Sequence, residues 1–341
     1  MIGPERKAYP KRARDSRKHG SLTVDELKAL YEKSRGKVIV FTGAGISVSS
    51  GVSVFSSKGG LYDRARRKFK VKDGMTLFSD RFYRKRTKEA IQFFAELGLE
   101  VRSASPTSTH FSLVDLEASI LRHVTLNVDG LLPRAGASIW DPVKNPAGKT
   151  IEFHGNLQDT LCVSCGDIQT LSLSDMKKLK AGKDILCGQC SKSLRPKIML
   201  YDDHDGELIT PSYVWDVLKA DLLEAELVLW VGISFEQSAS VSYYRRVLRL
   251  APALKMVVVN PSEEALWNLK SALSEIPGPE RLSSVLEESD SFFKALVEGA
   301  GPSPNQTPTH KHRKFRRIVT SHSSSSDRSS PSALREQENL N

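Results

Sequence analysis

The sequence predicts an α/β protein, a doubly wound parallel sheet of Rossmann-like type with a small four-cysteine zinc-binding module inserted. Two observations predict it. Short, wholly apolar runs, Val38–Phe41, Leu227–Val231 and Met256–Val259, alternate with stretches of helical periodicity, and each ends in Gly, Ser, Thr or Asn. Runs of that kind are strands covered on both faces, and polar groups at their carboxyl ends stand where open α/β sheets bind ligands. The four cysteines form two pairs, Cys162-x-x-Cys165 and Cys187-x-x-Cys190, with 21 residues between them and none left over.

The elements follow in order. Thr23 and Glu26 have capping-box spacing, which predicts a helix to about Arg35 stopped by Gly36. The strand Val38–Phe41 runs into Thr42-Gly43-Ala44-Gly45-Ile46-Ser47. Two glycines after a buried strand let backbone amides approach a phosphate. The dehydrogenase fingerprint would place a third glycine at position 48, which is Val48, so this is not an ordinary dehydrogenase loop. The Gly/Ser-rich stretch through Gly51, Gly59 and Gly60 reads as a mobile cover. Lys88 to Leu97 has helical spacing closed by Gly98, and Pro106 starts a further helix. A strand from Arg122 to Leu126 empties into Asn127-Val128-Asp129-Gly130, and Ile151–Phe153 ends at His154-Gly155. Imidazole titrates near working pH, and of the eight histidines His154 alone sits at a strand end beside a glycine, which makes it the candidate general base.

The CxxC pairs are near the usual spacing of a four-thiolate zinc site. Four protein thiolates leave no position for water, so the zinc is structural. Disulfides are disfavoured in a chain without a secretion signal, and one redox pair would not account for the second. Leu194–Leu200 leaves the module as a strand, and helices are expected at Tyr213–Leu223, Glu236–Leu250 and Ser289–Ala300.

The net charge of +10 over 341 residues lies at the ends. Residues 1–20 carry seven Lys/Arg against two Asp/Glu, and residues 301–341 carry seven against three, so the middle is near neutral. A basic, nucleic-acid-reading core is therefore not expected. The organisation read from this is a basic disordered arm at 1–20, a catalytic domain at 21–300 with its zinc module at about 158–197, and a disordered, basic, Ser/Pro-rich tail at 301–341. The basic runs point to a nuclear or nucleocytoplasmic home, with weak nucleic-acid contact through the tails. No apolar run long enough to span a membrane is present. Oligomeric state is not readable.

Over about residues 30–300 the chain resembles the sirtuin family of NAD-dependent protein deacylases. The resemblance rests on Gly43-Ala44-Gly45-Ile46-Ser47, Gly60-Leu61-Tyr62, Pro106-Thr107 with His110, Asn127-Val128-Asp129-Gly130-Leu131, Ala135-Gly136, His154-Gly155, the four cysteines, Leu194-Arg195-Pro196, Gly232 with Ser234, and Asn260, in that order. It implies NAD at the strand ends, with phosphates against Gly43, Ala44, Gly45, Gly232 and Ser234 and adenosine near Asn260. It implies Ser47, Phe55, Asn127 and Asp129 on the cofactor side as well, with Asn127 and Asp129 at the nicotinamide. The acyl group of an acylated lysine in a protein or peptide would pass to ADP-ribose with release of nicotinamide, His154 taking a ribose proton. The peptide would lie as an added strand near Leu200–Asp203.

Several positions depart from the family. Where it has Gly-Ile-Pro-Asp-Phe-Arg, this chain has Gly51-Val52-Ser53-Val54-Phe55-Ser56, so a carboxylate and a guanidinium become Val54 and Ser56. The usual Gln before Asn127 is Leu126, and the usual Thr after Gly232 is Ile233. Two other readings therefore stand beside a working deacylase: a weakened module that binds NAD, ADP-ribose or acyl-lysine, and a mono-ADP-ribosyl transferase.

Overall fold

A computed structural model describes residues 20–52, 60–274 and 282–299. Nine strands occur among them: β1 (Val38–Thr42), β2 (Arg122–Thr125), β3 (Thr150–Glu152), β4 (Gly155–Leu161), β5 (Ile168–Thr170), β6 (Arg195–Ile198), β7 (Leu227–Val231), β8 (Lys255–Val259) and β9 (Leu282–Val285). Six form one sheet in the order β3-β2-β1-β7-β8-β9, every neighbouring pair parallel. The first half winds outward from β1 and the second from β7, so strand order reverses between those two. A crevice opens at such a reversal, outside the carboxyl ends of the strands.

The apolar runs are central because both their faces are covered. Every residue of β1 and of β7 is buried. Ile39 and Phe41 join Val228 and Trp230 in one core layer, where the Phe41 and Trp230 rings stack at 4.2 Å. Val38 and Val40 point the other way, into a layer with Leu27, Tyr31, Phe292 and Phe293. Leu27 and Tyr31 come from the helix Val24–Lys33, whose Thr23/Glu26 capping box forms as expected.

A smaller lobe is built from two excursions out of the sheet, one between β1 and β2 and one between β3 and β7. Its strands pair antiparallel in the order β5-β4-β6. The strand expected on leaving the zinc module is thus β6, and it pairs with β4, not with the parallel sheet. Phe93, Phe94 and Leu97 pack with Phe78, Leu157 and Ile198 in this lobe's core. The helix carrying them runs Thr87–Ser103, past the stop expected at Gly98. Gly98 serves a close approach instead: a Cβ there would lie 3.3 Å from the Leu157 carbonyl oxygen.

The cysteines close two matching knuckles. Gly166 N donates to Cys162 O at 2.8 Å and Ser191 N to Cys187 O at 2.9 Å, while Cys162 N and Cys187 N each reach a carbonyl five residues on, at 2.8 Å. The residue after each pair takes positive φ, 76° at Gly166 and 58° at Ser191. All four Sγ atoms lie within 4.8 Å of one another. Cys162 to Cys190 is 3.4 Å and Cys165 to Cys187 is 3.7 Å. A tetrahedron with zinc–sulfur bonds of about 2.3 Å has edges of about 3.8 Å, so the donor set fits one zinc ion.

Two outcomes test this architecture. Gly45→Ala is expected to cost about 3 kcal/mol in urea unfolding, because its Cβ would sit 2.5 Å from the Gly232 Cα. Gly51→Ala adds its Cβ to open space at a φ of 79° and should cost only about 1 kcal/mol. Metal analysis should return one zinc per chain, and Cys162→Ser or a strong chelator should lower the melting temperature by about 5 °C or more.

Candidate active site

A cleft of about 630 Å³ lies at the reversal point. Its floor is the meeting of two loops, Gly43–Gly45 after β1 and Gly232–Ser234 after β7. Gly43 N donates to Val231 O at 3.0 Å, and Gly45 N to Gly232 O at 2.8 Å. Those amides are spent within the protein, so the glycines serve mainly to let one backbone lie on the other. Ser234 is exposed on the cleft side. Asn260 ties the second loop down, its Nδ2 donating to Ile233 O at 3.2 Å. The cleft is lined by Gly43, Ala44, Gly45, Asn127, Gly232, Ser234 and Asn260, and by His154. These eight predicted residues, drawn from five separate chain segments, therefore share one cavity.

His154 is held at both ring nitrogens. Nδ1 lies 3.0 Å from Leu126 O, which can only accept, so Nδ1 carries the hydrogen. Nε2 then keeps the lone pair, and it lies 3.0 Å from the Tyr243 hydroxyl, which donates to it. The Phe153, Trp215 and Tyr243 rings pack together beside it, Phe153 to Tyr243 at 4.9 Å and Phe153 to Trp215 at 5.4 Å. Burial pushes the His154 pKa down to about 4, against the hydrogen bond that Nδ1 donates to Leu126 O, so the imidazole is neutral at physiological pH. The chain turns directly after it at Gly155, where φ is 77° and a Cβ would meet the Lys197 carbonyl oxygen at 2.1 Å.

Ser47 and Asp129 stand one layer behind Asn127. The Ser47 hydroxyl donates to Asp129 Oδ2 at 2.7 Å and accepts from Asn127 Nδ2 at 3.2 Å. Asp129 Oδ1 accepts from Leu131 N at 3.0 Å, starting the next short helix. All three side chains are buried. The set fixes the Asn127 amide with its plane and polarity defined. Phe55, with Val54 and Ser56, lies outside the described residues.

The departures at positions 126 and 233 pack against the core and also line the cleft. The Ile233 side chain is 4% exposed and packs with Trp230 and Phe235, and its Cγ1 would lie 2.8 Å from a Cβ at position 43. The Leu126 side chain packs against the same core layer, while its carbonyl orients His154.

The far wall is Met199–Asp202. Its base is an ion-pair cluster: Arg195 donates to both oxygens of Asp203 at 2.8 Å, and Arg84 joins Asp205 to the buried Asp80. Burial works to raise the Asp203 pKa, but the hydrogen bonds and charge of Arg195 together with the Leu200 and Asp205 amides outweigh it and hold the carboxyl below its usual range. Asp202, on this wall, has a φ of 55°, and Phe235, on the opposite one, 54°. Non-glycine residues in that region cost of order 1–3 kcal/mol each and gather where function requires the shape. Tyr243, Gln237, Glu236 and Glu264 also line the cleft and carry no local signal in the sequence. Tyr243 and Tyr244 are adjacent and alike; only packing turns Tyr244 onto Trp230 and Tyr243 onto His154.

Comparison with known proteins gives this geometry a context. Residues 43–238 match the model of the Sir2 family. The chain is 30% identical over 252 residues to an NAD-dependent protein deacylase of Thermus thermophilus, covering 72% of this chain and 87% of that protein. It is 28% identical over 220 residues to the NAD-dependent deacetylase sir2D of Dictyostelium discoideum, covering 63% of this chain and 37% of that longer protein. A solved Sir2 homolog–NAD complex superposes with a TM-score of 0.63 at 21% identity, over 82% of this chain and 95% of that one. A Sir2 structure bound to acetylated peptide gives a TM-score of 0.59 at 23% identity, over 82% and 98%. The chain belongs to the Sir2 family, the sirtuins, a family of NAD-dependent protein deacylases.

Proposed function

We propose that the protein is an NAD-dependent lysine deacylase that works in this cleft with His154 as its base. NAD supplies a nicotinamide leaving group on its ribose and the ribose hydroxyls that receive the acyl group. The observation that carries the reading is the tautomer of His154: Leu126 O fixes the proton on Nδ1 and so presents Nε2, unprotonated, to the cleft. A base for a ribose hydroxyl needs an acceptor atom aimed into the site and neutral at working pH. Asn127, fixed by Ser47 and Asp129, offers an amide to the nicotinamide carboxamide. Glu264 and Asn260 line the same cleft and offer acceptors for adenosine ribose hydroxyls.

An acylated peptide fits between the two walls. The amides of Met199, Leu200 and Tyr201 already donate to His154 O, Asp203 Oδ2 and Phe78 O. A peptide strand along that wall would therefore meet carbonyls, and its own N–H groups would supply the hydrogen bonds. The carboxylates of Asp202 and Glu236 favour lysine- or arginine-rich flanks and disfavour acidic acyl groups. The basic termini, outside the described residues, support a nuclear or nucleocytoplasmic home.

The direct test is nicotinamide release from NAD with a panel of acetyl- and longer-acyl-lysine peptides. Peptide-dependent release that falls about 10²–10⁴-fold in His154→Ala is the expected result. Absence of release while NAD or ADP-ribose still binds by calorimetry would overturn it and leave a binding module; transfer of label from NAD to protein would indicate an ADP-ribosyl transferase. The pH dependence carries a sign. The His154 pKa lies below that of ordinary imidazole, so the neutral base is present above about 4 and is lost as pH falls through that value. kcat/KM should therefore stay level through the ordinary imidazole range near pH 6.5 and decline only towards about 4.

A further inference from the structure

His154 has a single lone pair for its chemistry, and a side chain of this protein already occupies it. With hydrogen fixed on Nδ1, the Nε2 lone pair points in one direction, in the plane of the ring. The Tyr243 hydroxyl lies 3.0 Å from Nε2 and can only donate to that lone pair. A ribose hydroxyl giving its proton to Nε2 must come within about 2.6–3.2 Å along the same line. Two oxygens cannot stand there together.

The tyrosine is placed to be both firm and removable. It projects from the helix Ser238–Leu250 and borders the cleft. Its ring leans on Phe153 at 4.9 Å and Trp215 at 5.9 Å, and Arg246 lies over the Trp215 ring at 4.1 Å. Burial pushes its own pKa up to about 12, so it is a neutral donor. A second tyrosine makes a similar bond across the cleft: the Tyr201 hydroxyl donates to Gln237 Oε1 at 2.9 Å, joining the walls between which a peptide would pass.

We propose that Tyr243 is a positioning residue that caps the base, holding Nε2 in the resting protein until a substrate hydroxyl displaces it. The proposal rests on His154 being the base of the deacylase reaction. It assigns to this chain a resting state in which substrate binding has to break a bond inside the protein before the base is available. The titratable groups that line the cleft with His154 are Tyr201 and Asp202 on one wall and Glu236 and Tyr243 on the other, with Glu264 beyond; the charged Arg246 stands behind Trp215.

Tyr243→Phe removes one oxygen and keeps the ring, so melting should be unchanged. The deciding measurement is a ¹⁵N titration of the His154 ring in the full-length, zinc-loaded, ligand-free protein. A donor bond to the neutral imidazole disfavours its protonation, so its loss should raise the His154 pKa by about half to one pH unit. In nicotinamide release, the KM for NAD should fall about 2–10-fold with kcat no lower. A pKa that is unchanged or lower in the variant overturns the cap. So does a tenfold or greater loss of kcat/KM, which would mean that the hydroxyl serves the substrate itself. Should neither protein release nicotinamide, the deacylase reading fails, while the titration still decides whether Tyr243 holds Nε2.

Discussion

The site depends on two backbones touching. Gly45 and Gly232 lie so close that a Cβ on the first would come within 2.5 Å of the Cα of the second, and one on Gly232 within 2.8 Å of Ile46 N. The parallel sheet brings β1 and β7 side by side, but their loops would otherwise diverge, since each leads to a helix in a different half of the fold. The contact joins them. It also consumes the Gly43 and Gly45 amides, so what it delivers to the cleft is position and shape more than a set of free donors. Asn260 extends the same logic from β8, bonding to Ile233 O. Three consecutive strand ends are thus tied at one level, and the cavity above them follows.

That constraint explains how two departures from the family are accommodated. Ile233 follows Gly232, and its side chain turns inward to fill space beside a glycine that has none of its own. Leu126 sits at the end of β2, where its amide bonds to Thr42 O at 2.9 Å and its carbonyl takes the His154 proton donor. In both places the backbone keeps its task while the side chain joins the core. A polar side chain lost to a ligand is then also a gain of apolar packing, and the fold is not weakened by it.

What the sequence disclosed followed from how local each signal is. Apolar runs at β1, β7 and β8 are read directly because both faces of a central strand are buried within five residues. The zinc knuckles are legible for the same reason: each CxxC turn is complete in itself, down to the left-handed residue after it. Gly98 misled because a glycine permits a helix stop and a close approach equally, and only the position of Leu157 decides between them. Tyr243 was invisible because its neighbour is also a tyrosine, and one helical step separates a core residue from one on the base. Ser47 and Asp129 were found as pocket residues by their motifs, but their place behind Asn127 is a tertiary fact that spans 82 positions of sequence.

The charge on the cleft and the state of its base belong to one argument. Among the described lining residues are Asp202, Glu236 and Glu264 and no lysine or arginine. A dinucleotide's phosphates would therefore depend on backbone dipoles, and the helix Ser238–Leu250 begins there without a side-chain cap on its first-turn amides. The nicotinamide ring of NAD carries positive charge, which the carboxylates suit. An imidazolium beside that ring would oppose it, and in a dry cleft the repulsion would be large. Burial keeps His154 neutral although its hydrogen bond to Leu126 O favours a proton. A base already neutral in the resting protein would add no repulsion against that ring when NAD binds.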